Sequence, residues 1–212
     1  NQPSKPRRTI SYMTSKDGVS YSEWKDLATI EEGHYQTSGQ FNNKLGSAFN
    51  YHPVTVGQNG LNFRSNLYYI QTQNFGQTWQ SAKGDELNLP LKEISNSALV
   101  KDYHSLGLNV YINDLAYDAK GNPVILYLTS KGYEAGPENG PRTWYTARFT
   151  GADWEILPIT NSDNNSTRQT EVSPLTNYNV IVFDQRFNQN SSVTFINTNV
   201  TRNGSFRDAN VT

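Results

Sequence analysis

Cysteine is absent from the 212 residues, which excludes disulfides, thiolate metal sites and cysteine nucleophiles. An excess of charge is absent too. Lys and Arg number 18 against 19 Asp and Glu, for a net charge of −1 and a pI near 6.3. Such a balance offers no broad basic field to nucleic acid or to an anionic membrane. The one basic cluster, Lys5, Arg7 and Arg8, reads as a solvated terminus. No apolar run nears the roughly 20 residues of a membrane-spanning helix, so no membrane insertion is expected. The first residues lack the pattern of a secretory leader. The chain opens at Asn1 in the run-in to a strand, and a mature or truncated form is expected. With no His-x-x-x-His and no clustered carboxylates, neither a metal site nor a cofactor is expected.

The chain is instead rich in aromatic and small polar residues. It holds 13 Tyr, 9 Phe and 4 Trp, and mean hydropathy is −0.71 with only 17% charged residues. The polarity therefore comes from Asn, Ser, Thr, Gln and Gly. Strands rich in Tyr and Thr, joined by Asn/Gly turns, produce this profile.

Short β-branched and aromatic runs recur throughout, and helical periodicity is nearly lacking. The runs predict strands over 9–14, 21–27, 47–51, 66–72, 78–81, 110–117, 123–130, 142–149, 154–159, 179–184 and 192–197, and a short helical turn within 87–100. The runs Leu67-Tyr68-Tyr69-Ile70 and Ile125-Leu126-Tyr127-Leu128 do not alternate cleanly, which predicts strands covered on both faces.

Thr72-Gln73-Asn74-Phe75-Gly76-Gln77-Thr78-Trp79 has the composition of a self-bonding hairpin turn. Thr and Asn side chains bond the turn backbone, Gly takes positive φ, and Trp packs beneath. Ser15-Lys16-Asp17-Gly18-Val19-Ser20-Tyr21 is a shortened version, with Tyr21 in the aromatic place and Trp24 close behind, and the turn before Trp154 keeps the position without the pattern. This pattern resembles the Asp box of the sialidase-like folds. Its spacings exceed the roughly 40–50 residue repeat of regular propellers, leaving room for long loops. The expected fold is all-β: a sialidase-like β-propeller of four-stranded antiparallel blades, partial, with about three to four blades. Residues 1–164 would form the blades, and 165–212 a divergent final blade or a tail outside the fold.

Three further stretches resemble the BNR-4 repeat family, sialidase-like propellers that include ulvan lyases. They are Gly46-Ser47-Ala48-Phe49-Asn50-Tyr51-His52-Pro53 with Gly60 to Tyr69, then Asp114 to Ser130, then Gly132-Tyr133-Glu134 with Gly136 to Trp144. The resemblance spans about Ile10 to Asn164 and fades in the Asn/Ser/Thr-rich remainder. It implies a secreted or periplasmic, carbohydrate-active protein, expected as a monomer. Its partner would be an acidic polysaccharide or oligosaccharide, uronate-bearing or sulfated, cleaved by β-elimination. A sialidase-like hydrolase and a non-catalytic glycan- or protein-binding propeller are the alternatives.

Elimination from a uronate needs a cation on the carboxylate, a base for the C5 proton and an acid for the departing oxygen. His52, after Asn50 and Tyr51 at the end of a predicted strand, is the first candidate for proton transfer. Tyr127 and Tyr133 are the tyrosine candidates. Arg142, closing the Gly/Pro-rich loop 132–141, suits a carboxylate or sulfate through its bidentate fork. Asn50, Arg64, His34 and Asp114 are the expected substrate-binding residues, and His104 reads as surface.

Overall fold

The computed structural model describes residues 8–54, 62–134, 137–162, 175–188 and 191–203, with side chains described up to residue 160. The chain divides into two compact units, Asn1–Asn165 and Ser166–Thr212.

In the first unit, β1 (Ile10–Tyr12) and β2 (Lys25–Ala28) form a two-stranded sheet. Next comes a four-stranded antiparallel sheet of β3 (Gln36–Phe41), β4 (Lys44–Tyr51), β5 (Ser65–Thr72) and β6 (Leu99–Lys101), and then a second of β7 (Asn109–Tyr117), β8 (Pro123–Ser130), β9 (Arg142–Phe149) and β10 (Trp154–Ser162). Both four-stranded sheets are meanders in chain order. Packed sheets of this kind are propeller blades, and the unit is a partial propeller. The only helix among the described residues is one 3-10 turn, Pro137–Asn139.

The two-faced burial read from Leu67–Ile70 is present. All eight residues of β5 are buried, because successive side chains enter different cores. Phe49, Tyr51, Tyr68 and Ile70 join Ile10, Leu27 and Ala28 in the core toward β1–β2. Ala48, Leu67 and Tyr69 join Val110, Leu115, Ile125 and Tyr127 in the core toward β7–β10. In β8 the expectation fails: buried residues alternate with half-buried ones, so one face packs fully on the preceding blade and the other only partly.

The Thr72–Trp79 turn closes on its own side chains. Thr72 Oγ1 donates to Asn74 Oδ1 at 2.9 Å and accepts from the Gly76 amide at 3.0 Å. Asn74 Oδ1 also accepts from the Thr78 amide at 3.1 Å. Trp79 is buried edge-on to Tyr12, and the Tyr12 hydroxyl donates to the Gly76 carbonyl at 2.6 Å. The Asp17 turn repeats the backbone bonding, with Asp17 Oδ1 accepting from Val19 and Ser20 amides. It lacks the aromatic anchor, however: Tyr21 and Trp24 are exposed.

Other expectations fail for local reasons. No helix forms in 87–100, because its backbone groups bridge to strands: Leu91 exchanges hydrogen bonds with Leu27 and Thr29, and Leu87 donates to Trp79. Strand β3, polar and exposed on one side, escapes periodicity and exists by pairing with β4. The stretch 78–81 supplies two isolated bridges at Gln80, to Gln71 and Glu86, rather than a strand. In the second unit, β11 (Leu175–Asn188) and β12 (Ser191–Asn203) pair as one hairpin, far longer than the short runs predicted there.

Candidate functional site

Alternating strand direction gathers one set of residues at one end of the two blades. Tyr35 precedes β3, Arg64 precedes β5, His52 follows β4, Tyr111 opens β7, and Arg142 and Trp144 open β9. The Thr72–Trp79 turn follows β5 and so lies at the opposite end.

His52 is fully buried, and its Nδ1 lies 2.8 Å from the Phe63 carbonyl. A carbonyl can only accept, so Nδ1 carries the proton and Nε2 keeps its lone pair. That Nε2 is buried and has no hydrogen-bond partner among the described residues. Burial lowers the imidazole pKa to about 4, opposed by the Phe63 bond and reinforced by the charges of Arg64 and Arg8. A neutral imidazole with an unengaged lone pair is the state a general base requires.

The Arg64 guanidinium carbon stands 4.6 Å from the Tyr35 ring centroid and 4.7 Å from that of Tyr111. Each cation–π contact contributes about 0.5–2 kcal/mol. Among the described residues Arg64 forms no ion pair, and its buried Nε has no acceptor. Leaving a buried donor unsatisfied costs about 1–3 kcal/mol, a penalty that an anionic ligand would relieve. Arg8 reaches the same ring, its Nη1 donating to the Tyr35 hydroxyl at 3.3 Å. Its stem lies on Gly33, where an added Cβ would stand 2.6 Å from the Arg8 Cβ. Of the basic cluster read as solvated terminus, Arg8 is thus docked on the site, and Lys5 and Arg7 lie outside the described residues.

Beside Tyr111 opens a cavity of about 280 Å³ lined by Tyr111, Ile112, Leu128, Tyr133, Arg142 and Trp144, with Asn113 at its edge. Tyr133 meets Phe63 edge-on at 5.3 Å, so the residue that holds the His52 tautomer touches one that lines this cavity. Arg142 donates through Nη2 to the Glu134 carbonyl, folding the loop back on itself.

The structure therefore brings together His52, Arg64, Tyr133 and Arg142. It holds the other predicted residues elsewhere. Both ring nitrogens of His34 are engaged: Nδ1 lies 2.8 Å from the Asn50 carbonyl, and Nε2 accepts from the Ile30 amide at 3.0 Å. Asn50 is fully buried, its amide group bonded to Tyr35 N and to the Val110 carbonyl. Tyr127 stands in the core between blades, its hydroxyl 2.6 Å from that of Tyr103, and burial pushes its pKa far up. Asp114 sits exposed at a bulge in β7 and accepts from the Leu115 amide. His34, Asn50 and Tyr127 thus have their polar groups engaged within the fold. His104 is exposed, as read. Sequence reasoning missed Arg8, Tyr35 and Tyr111, whose only signal was residue type, and no short-range pattern placed them together.

Residues 41–162 match the family model described as BNR repeat-containing family member. The chain belongs to the BNR repeat-containing family. As a BNR-repeat protein it shares its fold with solved polysaccharide lyases. One is a structure of "a new family of Polysaccharide lyase PL25-Ulvanlyase" bound to -[GlcA(1-4)Rha3S]-, at TM-score 0.58 and 15% identity, covering 91% of this chain and 47% of that one. The same enzyme without that oligosaccharide in its description matches at TM-score 0.57 and 15% identity, again over 91% and 47%. The polysaccharide lyase Uly1 matches at TM-score 0.56 and 12% identity, over 92% of this chain and 44% of that one. This BNR-repeat chain thus spans about half the length of those lyases, and at such identity the likeness shows the fold alone. Residues 153–212 match a domain of unknown function (DUF5916). A comparison with curated proteins returns no match.

Proposed function

We propose that this chain carries the active cleft of a polysaccharide lyase that cleaves an acidic, uronate-bearing glycan by β-elimination. One observation carries the reading: the buried Nε2 of neutral His52, unpartnered among the described residues, beside Arg64, which forms no ion pair among them. Arg64 would bind the uronate carboxylate, which acidifies the adjacent C5–H bond. His52 Nε2 would take the C5 proton. The C4–O bond then breaks as the C4–C5 double bond forms, and the Tyr133 hydroxyl would give its proton to the departing oxygen. Solvent restores both groups. Arg142, at the mouth of the cavity, would hold a carboxylate or sulfate of a neighbouring sugar.

The fold shared with polysaccharide lyases supports this reading. Around the site we place an Asp-box, sialidase-like scaffold over 1–164, a divergent final blade or a tail outside the fold over 165–212, a monomeric state and a secreted or periplasmic home. Among the described residues no helix is long and apolar enough to cross a membrane.

The test is incubation with a panel of uronate polysaccharides, reading near-ultraviolet absorbance of the unsaturated product. Wild type should generate it; His52→Ala and Arg64→Ala should lose at least about 10²-fold, the scale of a proton-transfer or charge-stabilising group. Full activity in either variant sinks the assignment. Reducing sugar without that absorbance would mean a hydrolase. The complete burial of His52 favours a second reading, a propeller that binds acidic glycans without turnover, which the same panel would reveal as affinity without product.

A further inference from the structure

His52 packs against the ring of Tyr35. The Tyr35 ring meets the imidazole edge-on, centroids 5.0 Å apart and planes at 68°. His52 has no exposed surface, whereas Tyr35 is 42% exposed. Tyr35 is thus the solvent-facing member of the pair.

The backbone and the ring of Tyr35 are held by different means. Its amide donates to Asn50 Oδ1 at 3.0 Å, and its carbonyl accepts from the Asn50 amide at 3.1 Å. This anchor rests on fully buried Asn50. The ring is held by cations, with Arg64 4.6 Å and Arg8 5.8 Å from its centroid and Arg8 bonded to its hydroxyl. A guanidinium makes a stronger, bidentate contact with a carboxylate than with a ring face. An arriving carboxylate therefore competes for both groups that hold the ring in place, while the backbone anchor stays intact. A neutral ligand offers no such competition.

We propose that Tyr35 is a positioning residue: it covers His52 in the free protein and swings aside when an acidic glycan draws Arg8 and Arg64 onto its carboxylate. His52 Nε2 is then presented to anionic substrates and withheld from neutral ones. The inference rests on the cleft being an acidic-glycan site, and it adds a selection step made before any chemistry.

Diethyl pyrocarbonate, which acylates accessible neutral imidazole, tests the cover on the full chain without requiring turnover. Labelling is mapped to each histidine by peptide mass. In the wild type, exposed His104 should label quickly and His52 slowly. D-glucuronate should raise the His52 rate several-fold, and D-glucose should leave it unchanged. Tyr35→Ala should label His52 rapidly without any additive and respond no further to glucuronate. Tyr35→Phe keeps the ring but loses the Arg8 bond, so it should start faster than wild type and still respond. His34, with both nitrogens bonded, reports folding; if it labels in Tyr35→Ala, the Tyr35→Phe comparison decides. Equal His52 rates in wild type and a folded Tyr35→Ala overturn the proposal. So does the absence of acceleration, or outright protection, by glucuronate in the wild type. A failed lyase reading would instead show as absent product with the labelling pattern intact.

Discussion

Asn50 Nδ2 donates to the Val110 carbonyl at 2.9 Å, a side-chain bond that ties β4 of one blade to β7 of the next. Its Oδ1 takes the Tyr35 amide, so one buried side chain fixes both the blade junction and the strand entry beside His52. Asn50→Ala leaves the Val110 carbonyl and the Tyr35 amide unpaired, and should cost about 2–6 kcal/mol at roughly 1–3 per stranded group. The urea midpoint measures this. A loss below about 1 kcal/mol would mean that the junction does not depend on Asn50.

Tyr127→Phe separates structure from chemistry. The hydroxyls of Tyr127 and Tyr103 are 2.6 Å apart and buried, so removing one should lower stability by about 1–2 kcal/mol. Lyase activity of the folded variant should stay within about twofold of wild type. An activity loss with unchanged thermal stability would return Tyr127 to the reacting groups.

Acid should weaken the fold before its carboxylates titrate. Burial holds the pKa of both His34 and His52 at about 4, against an ordinary value of 6.5. Above pH 6.5 both are neutral in the folded and unfolded states, and their burial is fully tolerated. Between 6.5 and 4 the unfolded chain takes up protons that the folded chain refuses, so stability falls through this window and levels below it. Each histidine should account for on the order of 2–3 kcal/mol. Asp17, held at about 2 by the Ser20 and Val19 amides, stays charged throughout the window, as does Asp118, held low chiefly by the Asn122 amide. Denaturation midpoints from pH 7 to 4.5 should therefore slope downward, and His34→Gln should remove about half of the slope. An unchanged slope in that variant would assign it to other groups.

Gly76 and Gly18 share a φ of +75°, but only Gly76 is crowded: an added Cβ would lie 2.5 Å from the Tyr12 ring, while at Gly18 nothing lies within 4 Å. Gly18→Ala should thus cost only the backbone strain, about 1 kcal/mol. Gly76→Ala should cost about 1–3 kcal/mol more, the usual penalty of overpacking. Equal melting temperatures for the two variants would mean that Tyr12 yields freely.

The local features were legible without coordinates. The Thr72–Trp79 turn is closed by bonds among its own Thr72, Asn74, Gly76 and Thr78, so that closure is written in consecutive residues. The two-faced burial of β5 showed in its unbroken apolar run, and His52, Arg64, Tyr133 and Arg142 stood out by residue type and by their place at strand ends. Strand β3 did not, since a polar strand is held by its partner rather than by its own pattern.

The sequence by itself determined an all-β chain of repeated hairpins, a tyrosine-rich core and the residue types available for acid–base work, because these depend on periodicity and composition. Only the tertiary structure decided which of those residues are left with an unengaged group. His34 and His52 look alike along the chain, yet one spends both nitrogens on backbone and the other keeps Nε2. Tyr127 and Tyr133 differ in the same way, one locked to Tyr103 in the core and the other at the cavity. The union of Arg8, Tyr35, Arg64 and Tyr111 likewise arises from strands far apart in sequence. Hydrogen-bond partners supplied across blades are set by packing, and no pattern of neighbouring residues encodes them.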